Sequence, residues 1–308
     1  MPELPEVETV RRGLERTVVG RLITRAEVGR QRTVRRTSAD AVINGLTGAT
    51  VLAAQRRGKY LLAPLDTGDT LMVHLRMTGQ LLLSEPGAGR PPHTHVVMHL
   101  AGQEASGHPP AELWFVDPRT FGEVVVFDPE HADVEVPELA GLGLDPLADE
   151  WGPTELGTLL RRRTTHLKPL LLDQHVVAGI GNIYADEILH AARLHPDLPG
   201  TALRHRDVVR IYDEMQRILN ASVRAGGSTL RDAQYVDLMG AGGSYQDDHR
   251  VYGRAGERCI TCGRGVVRRL VHSGRSTHYC PVCQRPRAPR PGPVRAGRAI
   301  RHTAGTSR

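Results

Sequence analysis

Hydrophobic positions change their period along the chain. At the start, Val7, Val10, Leu14 and Val18 recur at helical spacing, Pro5 suits the first helical turn, and Gly20 is a fitting stop. From residue 22 to 127 the pattern shortens into β-rich stretches separated by Gly, Pro or Asp. These predict strands over Leu22–Val28, Thr50–Arg57, Lys59–Leu65, Thr70–Arg76, His95–Leu100, Glu112–Val116 and Glu123–Phe127, with a loop over Gly87–Pro92. The continuous apolar runs Val51–Ala54 and Val124–Val126 suit a buried sandwich core, and strands with no helix between them favour antiparallel pairing. Gly, Pro and Asp then cluster over Pro137–Pro153, which reads as a linker. Beyond it helical spacing returns over Glu155–Arg163, Lys168–Val177, Ile183–His190 and Asp207–Ala225, with no internal repeat. The expected class is α+β: a helix and a β-sandwich, then a helical half ending in a small hairpin.

At 308 residues, two domains with sizeable cores are expected. No apolar run approaches the ~20 residues that span a bilayer. The acidic N-terminus lacks a signal-peptide pattern, so the expectation is a cytoplasmic monomer with no membrane partner. Charge is unevenly placed. After Cys283 come seven arginines (Arg285, Arg287, Arg290, Arg295, Arg298, Arg301, Arg308) and no acid, and Arg254–Cys283 holds six arginines against Glu257. The net charge of +6 therefore leaves residues 1–253 at about −6, with the positive charge gathered at the C-terminal end, as a directed polyanion contact or a solvated tail. Of 40 basic residues only Lys59 and Lys168 are lysines, which makes them candidates for jobs a guanidinium does not do, or survivors of chance.

Four cysteines change the picture more. Cys259-x-x-Cys262 and Cys280-x-x-Cys283, seventeen residues apart, have the spacing of a four-thiolate zinc site. Four protein ligands close the shell, so the metal is expected to be structural. Val266–Val271 and His278–Cys280 read as hairpin strands with Ser273-Gly274-Arg275 at the tip, and His272 and His278 as surface histidines. Arg275 is placed to enter a groove, grip phosphate or sit in solvent. In Val177–Glu187, Gly179 and Gly181 give a tight turn between helices, with Asn182 as the expected N-cap. Its amides are a candidate phosphate site. At the other end of the chain, loss of Met1 would expose the secondary amine of Pro2, titrating near pH ~8, beside Glu3, Glu6 and Glu8. The helix N-terminus would help keep that amine neutral. An ordinary capped helix accounts for the same residues.

Six segments taken together carry a resemblance: Pro-Glu-Leu-Pro-Glu-Val-Glu (2–8), Arg-Arg-Gly-Lys-Tyr (56–60), His-Leu-Arg-Met-Thr-Gly (74–79), Asp-Pro-Arg-Thr-Phe-Gly (117–122), Gly-Ile-Gly-Asn-Ile-Tyr-Ala-Asp-Glu (179–187) and the four-cysteine hairpin. From Pro2 to about Gln284 the chain resembles the formamidopyrimidine-DNA glycosylases, bacterial base-excision repair enzymes for oxidised purines. The resemblance implies a sandwich domain (1–137), a linker (138–152) and a helix-two-turn-helix domain (153–253) with a lesion-capping loop at about 228–246. A zinc hairpin (254–284) and a disordered Arg/Pro-rich tail (285–308) would follow.

It implies Pro2 as the nucleophile toward C1′, Glu3 as the proton-transfer partner, and Lys59 as a phosphate-binding residue that assists catalysis. Glu6 would support the site, as would Glu187 in a catalytic or structural part. Lys168, Asn182 and Arg275 match positions at bound DNA, and Met77, Arg119 and Phe121 match the set that fills the space of an everted base. One structural zinc ion would be held by Cys259, Cys262, Cys280 and Cys283, and the partner would be damaged duplex DNA. The loop Ser228–Gln246 departs from the family pattern by the insertion Ala233-Gln234 and the glycine-rich Met239–Gly243, which bears on lesion preference. The alternatives are an endonuclease VIII-like glycosylase for oxidised pyrimidines and a non-enzymatic zinc-hairpin DNA-binding protein.

Overall fold

The structure, a computed structural model, describes residues 1–230, 235–272 and 274–287. The insertion Ala233-Gln234, the hairpin-tip residue Ser273 and the tail from residue 288 lie outside the described residues.

Helix α1 (Leu4–Thr17) buries Val7, Val10 and Leu14 against a sandwich of two four-stranded antiparallel sheets. The strands are β1 (Ile23–Val28), β2 (Gln55–Arg57), β3 (Tyr60–Pro64), β4 (Thr70–His74), β5 (Gln80–Ser84), β6 (Thr94–Leu100), β7 (Ala111–Val116) and β8 (Glu123–Phe127). One sheet runs β1-β6-β7-β5 and the other β2-β3-β4-β8. Leu71 opposite Val126 and Val73 opposite Val124 set the register of the second sheet, and alternate side chains of both sheets fill one core.

Three elements differ from expectation. Helix α2 (Ala39–Leu46) interrupts the strands; Ser38 caps it by accepting from the Ala41 amide, and Val42 and Leu46 bury one face. Thr50–Arg57 is broken: Thr50 and Val51 make isolated bridges and only β2 is a ladder strand, while β5 was not among the expected strands.

A short helix α3 (Ala132–Glu135) precedes the stretch expected to be a linker, which itself opens with α4 (Pro137–Ala140) and is fastened. Asp145 is fully buried; it takes both Arg56 guanidinium nitrogens at 2.6 and 3.1 Å and the Gly58 amide at 2.7 Å. The helical half follows with α5 (Pro153–Arg161), α6 (Leu167–Leu172), α7 (Asn182–Ala191) and α8 (His205–Arg224), sharing a core around Tyr184, Ile188, Ile211 and Met215. Helix α6 stops at Leu172, well short of Val177, because Asp173, Gln174 and the chain to Gly181 form the turn that leads into α7. Strands β9 (Arg268–His272) and β10 (Arg275–Tyr279) pair as the terminal hairpin.

Candidate active site

Glycine decides where the two halves of the chain meet. At Gly179 (φ +93°) a Cβ would stand 2.6 Å from Leu4, and at Gly181 it would stand 2.3 Å from the Glu3 carboxyl carbon, so only bare backbone lets α1 start this close to the α6–α7 turn. The Leu4 amide donates to the Gly179 carbonyl at 3.0 Å. Glu3, only 3% exposed, then accepts from the amides of Gly181 (2.8 Å), Ile183 (2.9 Å) and Tyr184 (3.3 Å). That carboxylate caps α7 from the far end of the sequence. The expected cap is corrected accordingly: Gly181 occupies the N-cap position and Asn182 is the first helical residue.

Pro2 is buried beside this junction, in peptide linkage to Met1. Glu6 reaches back one turn to accept the Glu3 amide at 2.8 Å, closing a capping box with Glu3. Its other oxygen accepts the Tyr184 hydroxyl at 2.5 Å and the Ser228 amide at 2.8 Å. Burial lifts the Glu3 carboxyl above the ordinary carboxylate range, against the pull of Lys59 and the amides of Ile183 and Tyr184. Glu6 is pushed up to about 7, by burial first and by the neighbouring Glu3 second. Lys59 is 6% exposed and donates to the Ile180 carbonyl at 3.0 Å. Burial lowers its pKa, Glu3 opposes the shift and Arg275 adds to it.

Of these groups, Pro2 and Glu6 line a small pocket of about 30 Å³ with Met77 and Ser228. Glu3 and Lys59 open onto a cleft of about 540 Å³ between the sandwich and the helical half, whose walls also include Arg76, Asn182 and Arg275. Arg275, exposed at the hairpin tip, brings a third element to the rim. The Asn182 amide nitrogen lies 3.5 Å from the Ser276 hydroxyl, and its buried Oδ1 has no partner among the described residues.

Met77 also lines the cleft and is 37% exposed. The turns carrying Met77 and Arg119–Phe121 are bound to each other. Buried Asp117 accepts the Thr78 hydroxyl and the amides of Arg119 (3.2 Å) and Gly122 (2.6 Å). The exposed Arg119 guanidinium lies 4.7 Å from the Phe121 ring centre. Three side chains of the expected kinds thus project from one rigid pair of turns.

Other expected site residues lie elsewhere. Lys168 is 2% exposed, not a free cation: its ammonium donates to Asp186 at 2.6 Å and to the Ser276 carbonyl at 2.8 Å, clamping β10 to α7. Glu187 collects three successive amides, Arg250, Val251 and Tyr252, at 2.8–2.9 Å, which fixes the approach to the hairpin. His278 is buried rather than on the surface, and both its amide (2.8 Å) and ring (3.1 Å) contact Asp186. Arg287 is not loose tail; it pairs with Asp207 at 2.7 Å.

The four cysteine sulfurs lie within 4.8 Å of one another. Zn–S bonds of ~2.3 Å in a tetrahedron put sulfurs about 3.8 Å apart, and the Cys259–Cys283 and Cys262–Cys280 pairs stand at 3.9 and 3.8 Å. The donor set fits zinc.

The residue pattern did not single out Tyr184, Asp186, Ser228 or His249. Its one signal was Asp186-Glu187 inside an apolar helical run, since buried acids need partners.

Residues 1–124 match the formamidopyrimidine-DNA glycosylase N-terminal domain, and residues 142–234 match the formamidopyrimidine-DNA glycosylase H2TH domain. The chain belongs to the formamidopyrimidine-DNA glycosylase family. A family relative from Nocardioides sp., named formamidopyrimidine-DNA glycosylase, is 43% identical over 286 residues, covering 92% of this chain and 94% of its own. Two solved structures of Lactococcus lactis Fpg each cover 92% of this chain and 100% of their own at 34% identity. One is a variant in complex with Fapy-dG-containing DNA (TM-score 0.82), the other the wild type with DNA containing an oxidised pyrimidine (TM-score 0.81).

Proposed function

We propose that this family member is a bifunctional DNA glycosylase/AP lyase that removes oxidised purines, 8-oxoguanine and formamidopyrimidines, from duplex DNA through a Schiff base on Pro2. The observation that carries the reading is that Glu3 and Lys59 line a cleft wide enough for an everted nucleotide, with Glu6 bonded to the Glu3 amide beside Pro2 in an adjoining pocket.

The chemistry begins once Met1 is removed. The Pro2 lone pair bonds to C1′ as the C1′–base bond breaks, the base leaves with that electron pair, and the proton shed by the Pro2 nitrogen passes to the departing base. The sugar C1′–O4′ bond then opens with a proton delivered to O4′, leaving an iminium that is cationic because a secondary amine formed it. Glu3 is the donor: its pKa is raised and three amides fix its position. Loss of the C2′ proton expels the 3′ phosphate, loss of the C4′ proton expels the 5′ phosphate, and water releases Pro2 from the sugar remnant. Lys59 and Arg275 take the phosphates flanking the lesion. Met77, Arg119 and Phe121 fill the vacated stack, Phe121 as a wedge and Arg119 toward the orphaned base. Zinc bound by Cys259, Cys262, Cys280 and Cys283 supplies rigidity to the hairpin that presents Arg275 and leaves no position open to substrate.

Borohydride reduction of the full chain with lesion duplex tests the reading, because it traps the iminium covalently. A covalent adduct is expected with the Met1-processed protein and a much slower one with Pro2→Gly, whose primary amine gives an imine that is not obligatorily cationic. Absence of an adduct with every lesion duplex would sink the enzyme reading. Faster release from oxidised pyrimidines than from 8-oxoguanine would replace the substrate class.

A further inference from the structure

Behind Glu6 a line of buried hydroxyls leads away from the cleft. The Tyr184 hydroxyl lies 2.5 Å from Glu6, 2.5 Å from the Ser222 hydroxyl and 3.2 Å from the Ser228 hydroxyl, and Ser228 lies 3.1 Å from His249 Nε2. All five groups are buried: Tyr184 and Ser222 fully, Glu6 at 2%, Ser228 at 4% and His249 at 5% exposed. Four separate parts of the chain meet here: α1, α7, α8 and the ends of the loop spanning residues 228–249. Such a connection joins the acid beside Pro2 to an imidazole that the proposed chemistry leaves unused.

Hydrogen counting makes the line directional. When Glu6 is ionised, Tyr184 donates to it and accepts from Ser222 and Ser228. The Ser228 proton is then committed, so its oxygen accepts from His249 and Nε2 carries a hydrogen. When Glu6 is protonated, the arrows toward His249 reverse while Ser222 still donates to Tyr184: Glu6 donates to Tyr184, Tyr184 to Ser228, and Ser228 to a bare Nε2. We propose that Glu6, Tyr184, Ser228 and His249 form a proton relay in which the ionisation of Glu6 and the protonation of His249 Nε2 are locked together, making His249 a positioning residue for the reaction at Pro2. This rests on the proposed reaction at Pro2.

Transfer along the line is balanced. Imidazolium His249 gives its Nε2 proton to Ser228, Ser228 gives its own to Tyr184, and Tyr184 gives its own to Glu6. The result is neutral Glu6 and neutral His249 protonated on Nδ1, with both hydroxyls restored. Glu6 thereby gains or loses a proton without admitting water to the nucleophile.

The surroundings suit both ends. Around His249 stand the rings of Tyr245 and Tyr252 at 5.9 and 5.7 Å, and Arg254 reaches its carbonyl. Burial lowers the imidazole pKa, against the carboxylates of Glu187 on α7 and of Asp248 and Asp247 beside it. Around Glu6 stand Glu3, Lys59, Tyr184 and Tyr235, whose hydroxyl approaches the Glu6 carbonyl at 3.4 Å.

The test is ¹⁵N NMR of the histidine rings in the zinc-loaded full chain, from pH 5 to 9, for wild type, Glu6→Gln, Ser228→Ala and Tyr184→Phe. In wild type, Nε2 of His249 is expected to change from pyridine-like to pyrrole-like as Glu6 ionises near pH 7. Glu6→Gln should abolish that step. Ser228→Ala and Tyr184→Phe should also abolish it, because each cuts the line and leaves both charges in place. A His249 titration that is the same in all four proteins overturns the relay, as does a step that survives both Ser228→Ala and Tyr184→Phe. Neither outcome depends on activity, so borohydride trapping tests the reaction at Pro2 separately.

Discussion

Glu3 and Gly181 stand 178 positions apart in the chain, yet Glu3 Oε2 accepts the Gly181 amide at 2.8 Å. The contact welds the first residues to the start of α7 and leaves no room for a side chain between them. Gly181→Ala would put a Cβ 2.3 Å from the Glu3 carboxyl carbon, below any real contact distance. Either Glu3 leaves its amides or α7 moves. The expected result is a loss of about 1–3 kcal/mol in urea unfolding, typical of overpacking, with a larger fall in single-turnover base release than in DNA affinity. Unchanged turnover in a folded Gly181→Ala protein would show that the Glu3 geometry is not critical.

Glu6 sets a pH dependence whose sign follows from its raised pKa. Below pH 4.5, its ordinary value, the acid is protonated in folded and unfolded chains alike. Between 4.5 and about 7 the unfolded chain has released a proton that the folded chain keeps, so stability falls as pH rises and levels off above 7. The difference amounts to on the order of 3 kcal/mol, and Glu3, shifted in the same direction, adds to the fall. Glu6→Gln should flatten this part of the curve. Its single carbonyl oxygen keeps one of the two amide donors, so the slope and not the absolute stability is the readout. Urea midpoints at pH 5 and pH 8 measure it, and an unaltered slope would mean that Glu6 does not hold the proton.

Periodicity alone exposed much of the fold and little of the site's wiring. The β-rich runs of β3, β4, β7 and β8 were legible because these strands are buried on most of their length and so read as short apolar stretches between turn residues. Helix α2 was missed although Ser38 is a good cap, since eight residues with only Val42 and Leu46 inward give little period to detect. Asn182 was expected to cap α7 because it has the right side chain, but Glu3 does that work from the other end of the chain, and no local pattern reports a cap supplied in trans. Lysine scarcity singled out Lys59 and Lys168, and both are buried. It could not tell the lysine that lines the cleft from the one locked behind the hairpin. That difference depends on Asp186, which the fold brings to Lys168 from eighteen residues away.

Lys168 therefore predicts a separation of effects. Its ammonium is already used by Asp186 and the Ser276 carbonyl, so it acts by holding β10, which presents Arg275. Lys168→Met should leave Asp186 buried without its cation, at a cost of about 3–5 kcal/mol. DNA affinity should fall, yet the slope of log K against log salt should stay unchanged, because no phosphate contact is removed. Arg275→Ala, in contrast, should reduce that slope by about one counterion. Salt titrations of duplex binding for the two variants check this, and a reduced slope for Lys168→Met would place its ammonium on DNA after all.

The zinc hairpin offers the sharpest test of how the two halves depend on each other. Its small core of Val251, Val267 and the cysteines is separate from the sandwich core, and a module of this size lacks the apolar area to hold itself without metal. Its links to the rest run to α7 and the turn after it, through Asp186 with His278 and Lys168, and through Gln284 with His190 and the Leu194 carbonyl. Removing zinc with a strong chelator should therefore release Arg275 and Ser276 from the cleft rim and abolish duplex binding. The β-sandwich, with α1 packed in its own core, should keep its far-UV circular dichroism and its hydrogen-exchange protection. Protection should be lost first in β9 and β10, then at the His190 end of α7, where Gln284 and Thr261 contact the helix. Simultaneous loss of protection across both sheets would show that the hairpin is needed by the whole fold and not only by its DNA-facing rim.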